Sequence, residues 1–375
     1  MISKALEHAD WDVPTDSRLV ILMPVFNDWQ AAGRLIVQLD KALAEPGIEA
    51  DVLVVDDASC QPAPLGFPPI QLKALRRIMI LPLRRNLGHQ RAIAIGLAYV
   101  QKNFPNRDVL VMDADGEDQP TDVPRLIEAL HRRNRRQIVF AQRVRRSEGP
   151  FFRFCYWCYK WSHRLLTGCW QDFGNFSVIP SPLLDRVVVV SEIWNHFAAG
   201  VVMARLPYDT IPTRRGNRLS GRSKMNFVSL LIHGMSAMSV YAPIVGVRLL
   251  VACGAAAALM VVAACAVVGI RLFTDLAIAG WATAAFGLTA VLLFQTLGMA
   301  GAAVFLMLHN QNRMGFLPAR DFHLFTQPLR VFAMEGLESR WKTGADGPGM
   351  GKDYAVEPGS LCTVHAAAAA EAATG

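Results

Sequence analysis

Residues 109 to 120 read Val-Leu-Val-Met-Asp113-Ala114-Asp115-Gly116-Glu117-Asp118-Gln119-Pro120, an apolar run leading straight into a cluster of carboxylates. Such a cluster suits a hard divalent cation, Mg²⁺ or Mn²⁺, which takes one or two carboxylates and keeps its other sites for substrate phosphates. The chemistry this points to is that of a diphosphate; the plain alternative is an acidic turn after a buried strand. Two more clusters have the same setting: Pro24-Val25-Phe26-Asn27-Asp28 closes one apolar run and Asp56-Asp57-Ala58-Ser59 another. Asp57 could accept hydrogen bonds from a base, Phe26 could lie against that base, and Asp115 with Glu117 could hold the metal. Taken singly, Phe26 reads as packing and Asp57 as a turn residue, so only their convergence favours a nucleotide site.

Convergence requires a particular arrangement of elements. Strand-like patterns over residues 18–25, 51–55, 109–112 and 137–141 alternate with helical patterns over 29–44, 89–101 and 123–132. This alternation is the mark of an α/β fold, a mostly parallel sheet flanked by helices. In such sheets ligands bind beyond the carboxyl ends of the strands, where all three clusters fall. Phosphate-loop alternatives are excluded, because no Gly-x-x-x-x-Gly-Lys is present and no Gly-x-Gly-x-x-Gly opens a helix after a strand.

The chain is 52% hydrophobic, and the excess falls almost wholly after residue 240. Runs over 244–270 and 276–308 each exceed the roughly 20 apolar residues that cross a bilayer core. With a very short linker between them they predict a transmembrane hairpin, with Arg248 snorkelling to the headgroups. Arg214, Arg215, Arg218, Arg222 and Lys224 precede the hairpin and Arg313 and Arg320 follow it, so the positive-inside bias puts both ends in the cytoplasm. Residues 1–16 have no apolar h-region, and no cleaved signal peptide is expected. The expected location is the cytoplasmic (inner) membrane, multi-pass, with the catalytic domain in the cytosol.

The organisation that follows is an N-terminal extension over 1–17 and a catalytic domain over 18–225. A juxtamembrane helix then covers 226–243, two transmembrane helices 244–308, and a tail 309–375. Residues 310–341 keep apolar and basic character suited to lying on the membrane, and 344–375, rich in Gly and Ala, are expected to be disordered. Seven cysteines, an odd number, do not form a disulfide framework. Cys155 and Cys158 lie within an aromatic and basic stretch that suits an interfacial helix near 150–166, where packing is their role. The net charge of +7 and the run Arg132-Arg133-Asn134-Arg135-Arg136 raise nucleic acid as a partner. No stacking platform or groove-reading motif accompanies them, so no nucleic acid is expected and a solvated or lipid-facing surface is the reading.

Together, residues 24–28, Val54-Val55-Asp56-Asp57-Ala58-Ser59, Asn86-Leu87-Gly88-His89 with Ala92 and Gly96, and Asp113-Ala114-Asp115 resemble the family 2 glycosyltransferases of the GT-A, Rossmann-like fold. Residues 172–176 and 218–225, followed by the two-helix anchor, sharpen the likeness to the polyprenyl-phosphate glycosyltransferases, the group of dolichol-phosphate mannose synthases and bacterial undecaprenyl-phosphate glucosyltransferases. The resemblance implies that Pro24, Phe26, Asp28, Asp57, His89, Asp113 and Ala114 line the nucleotide-sugar pocket. It implies that Asp113 and Asp115 face the diphosphate and its metal, with inversion at the anomeric carbon. Glu117 stands where the family often has Gln, and Ala58 where Gly is usual.

A polyprenyl phosphate presents an anionic head at the membrane surface and calls for Arg and Lys. Arg143, Arg218, Ser223 and Lys224 are the candidates for it, the neighbouring cations gripping membrane lipids. With a second pKa near about 6, such a phosphate is already largely ionised at neutral pH, so a strong base is unnecessary; if one is used, Asp113 is the candidate. His89 is expected to shape the donor site, and His163, His196 and His233 read as structural. The expected function is sugar transfer from a nucleotide sugar, a UDP-sugar first, to undecaprenyl phosphate. The sequence leaves the oligomeric state open, a homo-oligomer included. Two other readings are a processive polysaccharide synthase, whose Gln-x-x-Arg-Trp motif fails because Leu337 precedes Arg340-Trp341, and a catalytically silent module binding nucleotide sugar or lipid.

Overall fold

The computed structural model describes residues 19–64, 67, 72–143, 161, 164–168, 172–214, 216–220, 227–274, 280–311, 315–333 and 342–343. The expected N-terminal extension, most of the interfacial helix near 150–166, Ser223, Lys224 and residues 344–375 lie outside them.

The first half runs β1 (Leu19–Val25), α1 (Trp29–Ala44), β2 (Ala50–Asp56), β3 (Leu75–Pro82), α2 (His89–Asn103), β4 (Val109–Val111), α3 (Val123–Arg132) and β5 (Ile138–Arg143). Then come β6 (Phe173–Ile179), α4 (Ser181–Val187), α5 (Phe197–Met203), β7 (Tyr208–Thr213), α6 (Phe227–Val240), α7 (Ala242–Phe273) and α8 (Trp281–Gln311). Short α9 (Pro318–Asp321), β8 (Arg330–Ala333) and β9 (Lys342–Thr343) complete the described residues.

The strands form one sheet in the order β7-β5-β6-β4-β1-β2-β3-β8-β9. Among them β6 and β8 alone run against the rest, since β6 pairs antiparallel with β4 and β5, and β8 with β3 and β9. The central strands β1 and β2 are buried on both faces apart from half-buried Asp56, as continuous apolar runs in a parallel sheet require. Helix α1 covers one face with Leu35, Ile36, Leu39 and Leu43, the three-and-four spacing of a single helical stripe. Helix α2 covers the other and comes closest at Gly96, where a Cβ would stand 2.5 Å from Leu22 Cδ1 and 2.8 Å from Val55 Cγ2.

Strand β3 begins Leu-Arg-Arg, which breaks its apolar pattern. In the sheet Arg77 lies opposite Asp51, and its Nε and Nη2 donate to the fully buried Asp51 carboxylate at 3.1 and 2.5 Å, joined by Arg107 Nη1 at 3.1 Å. A carboxylate so buried is tolerated only when paired. Asp40, also buried, accepts from the backbone N–H groups of Lys73, Ala74 and Leu75 and so fixes the entry to β3.

Helices α7 and α8 pack as a hairpin, and both are long and apolar enough to cross a membrane while scarcely buried. The chain touches the α/β domain on either side of this hairpin. Before it, Val240 and Tyr241 are buried against Ala199 of α5. After it, Phe316 stacks on Trp194. Arg248, near the start of α7, donates from Nη1 to the Leu165 carbonyl at 2.7 Å. Residues 315–333, expected to lie on the membrane, instead pack on the domain and add β8 to the sheet, because their aromatic side chains find apolar partners on α2 and the short helix at 191–194.

Candidate active site

The three acidic clusters meet at the carboxyl ends of β1, β2 and β4. Parallel registers Val25↔Asp56 and Leu22↔Val111 set the strand ends side by side. Beyond β1, Asn27 turns at φ 52°, its N–H donating to Ser59 Oγ at 2.9 Å. This leaves Phe26 40% exposed at the surface, free to serve as a platform. Pro24 is different: it is buried within β1 opposite Val55 and supports the site from below.

Asp57 is buried, and both its oxygens accept backbone N–H groups, from Leu87 at 2.7 Å and Gly88 at 2.8 Å. Burial pushes its carboxyl above the ordinary range, against the pull of those two donors. The sequence expectation that Asp57 receives a base must therefore share the carboxylate with the loop before α2. Ala58, at φ 56°, occupies the left-handed region where glycine is at ease.

Beyond β4 the chain folds on itself. Asp113 N–H donates to buried Asp118 Oδ2 at 3.1 Å, and Glu117 N–H to Asp115 Oδ1 at 2.9 Å. Gly116 turns at φ 86°. The chain after β7 closes over this turn: Gly216 N–H donates to the Glu117 carbonyl at 2.8 Å and Leu219 N–H to that of Asp115 at 2.9 Å. A Cβ on Gly116 would overlap Leu219, and one on Gly216 would stand 2.7 Å from the Gly116 carbonyl oxygen. Small residues are thus needed where the two loops interlock.

His89, the first residue of α2, brings Nε2 to 3.0 Å from Asp113 Oδ1 and 3.1 Å from Asn175 Nδ2. The ring is 41% exposed, and its partial desolvation opposes charge on it, yet the carboxylates of Asp113, Asp118 and Asp115 outweigh this and raise the pKa. Burial likewise raises the carboxyl of Asp115, opposed by the Glu117 N–H and helped by the charges of Asp113 and Glu117. Ala114 is buried between the two acids.

Arg218 Nη2 lies 2.5 Å from Asp28 Oδ2 and its Nη1 3.7 Å from Asp115 Oδ2. Expected beside an acceptor phosphate, it reaches the acids of the donor side. Arg143 closes β5 opposite Thr213. Among the described residues no three His, Cys, Asp or Glu side chains gather as a metal site. The hard-oxygen donors Asp115 and Glu117 still fit a Mg²⁺ or Mn²⁺ ion of the kind completed by substrate phosphates. Reasoning from sequence missed the Arg218 pairing and the link from His89 to Asn175. Asn175 stood inside the 172–176 motif, which was the available signal. His196, read as structural, caps α5, its Nδ1 accepting from Ala199 N–H at 3.3 Å.

A mixed sheet thus gathers acids and a guanidinium at its carboxyl edge. The family model for Glycosyl transferase family 2 matches residues 20–177, the stretch that runs from β1 into β6. The dodecaprenyl-phosphate galacturonate synthase of Rhizobium johnstonii is 24% identical over 186 residues, 49% of this chain and 54% of the relative. The undecaprenyl-phosphate 4-deoxy-4-formamido-L-arabinose transferase of Erwinia tasmaniensis is 28% identical over 111 residues, 30% of this chain and 33% of the relative. The chain thus spans about half the length of the first of these curated relatives and a third of the second. Among solved structures, glucosyl-3-phosphoglycerate synthase from Mycobacterium tuberculosis with UDP is 13% identical, with a TM-score of 0.40, covering 62% of this chain and 81% of that one.

Proposed function

We propose that the chain transfers a sugar from a nucleotide-sugar donor to a polyprenyl phosphate at the cytoplasmic face of a membrane, with inversion and with a divalent metal ion. The observation that carries this is the meeting of Asp28, Asp57, Asp113, Asp115 and Arg218 at one sheet edge, in a chain that runs on into two exposed apolar helices. The names of both relatives above specify a polyprenyl phosphate, which supports that acceptor class. Undecaprenyl phosphate is the acceptor we assign, and UDP-sugars are the first donors to test.

Phe26 offers its exposed face to the base, and Asp57 holds the loop that borders it. The acceptor phosphate oxygen forms a bond to the anomeric carbon while the bond to the donor diphosphate breaks, the electron pair leaving with the nucleoside diphosphate. An α-linked donor gives a β-linked product. Asp115 and Glu117 would hold Mg²⁺ or Mn²⁺, whose chemistry there is to neutralise the departing diphosphate. Arg218, poised between Asp28 and Asp115, supplies a fixed cation to the same charge. Asp113, in contact with His89, is the group placed to take a proton if one must leave the acceptor. Arg143, Ser223 and Lys224 are the further groups we assign to the acceptor phosphate.

That Tyr241 before the hairpin and Phe316 after it both contact the α/β domain supports placing both ends of the hairpin on one side, as the flanking cations demand. The test is transfer of label from a panel of sugar nucleotides to undecaprenyl phosphate by the purified protein in detergent with Mg²⁺ or Mn²⁺. Product from one donor supports the reading. Nucleotide binding with no transfer from any donor would mean a silent binding module.

A further inference from the structure

The segment that leaves the second apolar helix turns back onto the loop beside the donor site. Leu83 bridges Thr326, Arg84 N–H donates to the Phe325 carbonyl at 2.8 Å, and Gln327 N–H donates to the Pro82 carbonyl at 2.9 Å. Side chains repeat the grip. Arg84 Nε donates to the Thr326 carbonyl at 3.1 Å and Gln327 Nε2 to the Leu83 carbonyl at 3.3 Å, while the Arg85 guanidinium lies 5.7 Å from the Phe325 ring centre.

The same loop is held from its other side by the acids of the site. Leu83 N–H donates to the Asp56 carbonyl at 2.8 Å, and Leu87 and Gly88 bind Asp57 before His89 meets Asp113. Between these grips Arg84, Arg85 and Asn86 are exposed, so no core contact fixes them. An exposed loop without such ties opens at little free-energy cost.

The strap is itself seated on the helix that carries His89. Phe316 stacks on Trp194 with centroids 3.7 Å apart, Phe325 lies 5.7 Å from the same indole, and Arg91 of the first turn of α2 stands 5.1 Å over it. Farther along α2, Tyr99 meets Phe322 edge-on at 6.1 Å.

We propose that residues 316–327 are a positioning strap that shapes the donor-site loop 83–88, so that nucleotide-sugar binding depends on how the membrane hairpin is seated. The consequence for nucleotide sugars rests on the function proposed above; the hold on the loop does not.

The experiment compares hydrogen exchange of the full-length protein in detergent with that of Phe325→Ala and Gln327→Pro, the second of which removes both donors of Gln327. Peptides covering 83–89 should exchange about tenfold faster or more in either variant while those covering β1 stay protected. In the transfer assay the donor KM should rise with kcat nearly unchanged. Unchanged exchange at 83–89 in both variants would overturn the proposal, as would equal acceleration of β1, which would make the strap a general support. Exchange needs no ligand. A wild type that binds no nucleotide would therefore defeat the transferase reading while the strap's hold on the loop was still measured.

Discussion

Arg218 Nη2 lies 2.5 Å from Asp28 Oδ2 and its Nη1 3.7 Å from Asp115 Oδ2, so one guanidinium joins the end of the first strand to the acidic turn after the fourth. The same residue belongs to the loop that leads toward the two long apolar helices, and it therefore ties that loop to the acids at the sheet edge.

Removing that cation should cost charge-assisted interactions in the transition state of about 2–3 kcal/mol, which lowers kcat/KM for Arg218→Ala by roughly 30- to 150-fold. Arg218→Lys should recover only part of the loss, because an ammonium cannot span two carboxylates as a planar fork does. Steady-state kinetics of the three proteins check this, and equal rates would show that the pairing is incidental.

The pKa of His89 is raised above its ordinary 6.5, since Asp113, Asp118 and Asp115 together outweigh the partial desolvation that opposes its charge. A raised folded-state value contributes stability that is complete below 6.5 and is lost as pH rises through the folded value. The melting temperature of the wild type minus that of His89→Gln should therefore fall as pH climbs above 6.5. A difference independent of pH would mean that the ring is not held by those carboxylates.

Gly116→Ala should place a Cβ at φ 86° and against Leu219. The strain of such a residue is on the order of 1–3 kcal/mol, and the interlocked loops should loosen, with a lower melting temperature and weaker nucleotide binding. Adding Leu219→Ala should relieve the overlap and leave the backbone strain, giving partial recovery in thermal denaturation.

Ala58 adopts φ 56°, where a Cβ is disfavoured by about 1–2 kcal/mol. Glycine gives back part of that gain through its looser unfolded chain, so Ala58→Gly should raise stability by about 0.5–1 kcal/mol. Denaturant unfolding of the two proteins decides the sign.

The elements that position the site were legible wherever apolar periodicity was unbroken, as in β1, α1, β2, α2 and β4. Strand β3 was not, because Arg76 and Arg77 interrupt it and the partner that tolerates Arg77 is Asp51 on another strand. The return of residues 315–333 to the sheet was equally hidden, since aromatic residues that suit a membrane surface suit Trp194 and Tyr99 as well. Acids at strand ends could be found because the sheet puts strand ends together. The pairing of Arg218 with Asp28, 190 residues apart, depends on loop paths that no local pattern encodes.

The most direct test of the site is transfer of labelled sugar to undecaprenyl phosphate by Asp115→Asn beside the wild type, with nucleotide binding measured in parallel. We expect the wild type to form the lipid-linked product and the variant to lose it while staying folded. Undiminished transfer by the variant would contradict the placing of the reaction at this carboxylate.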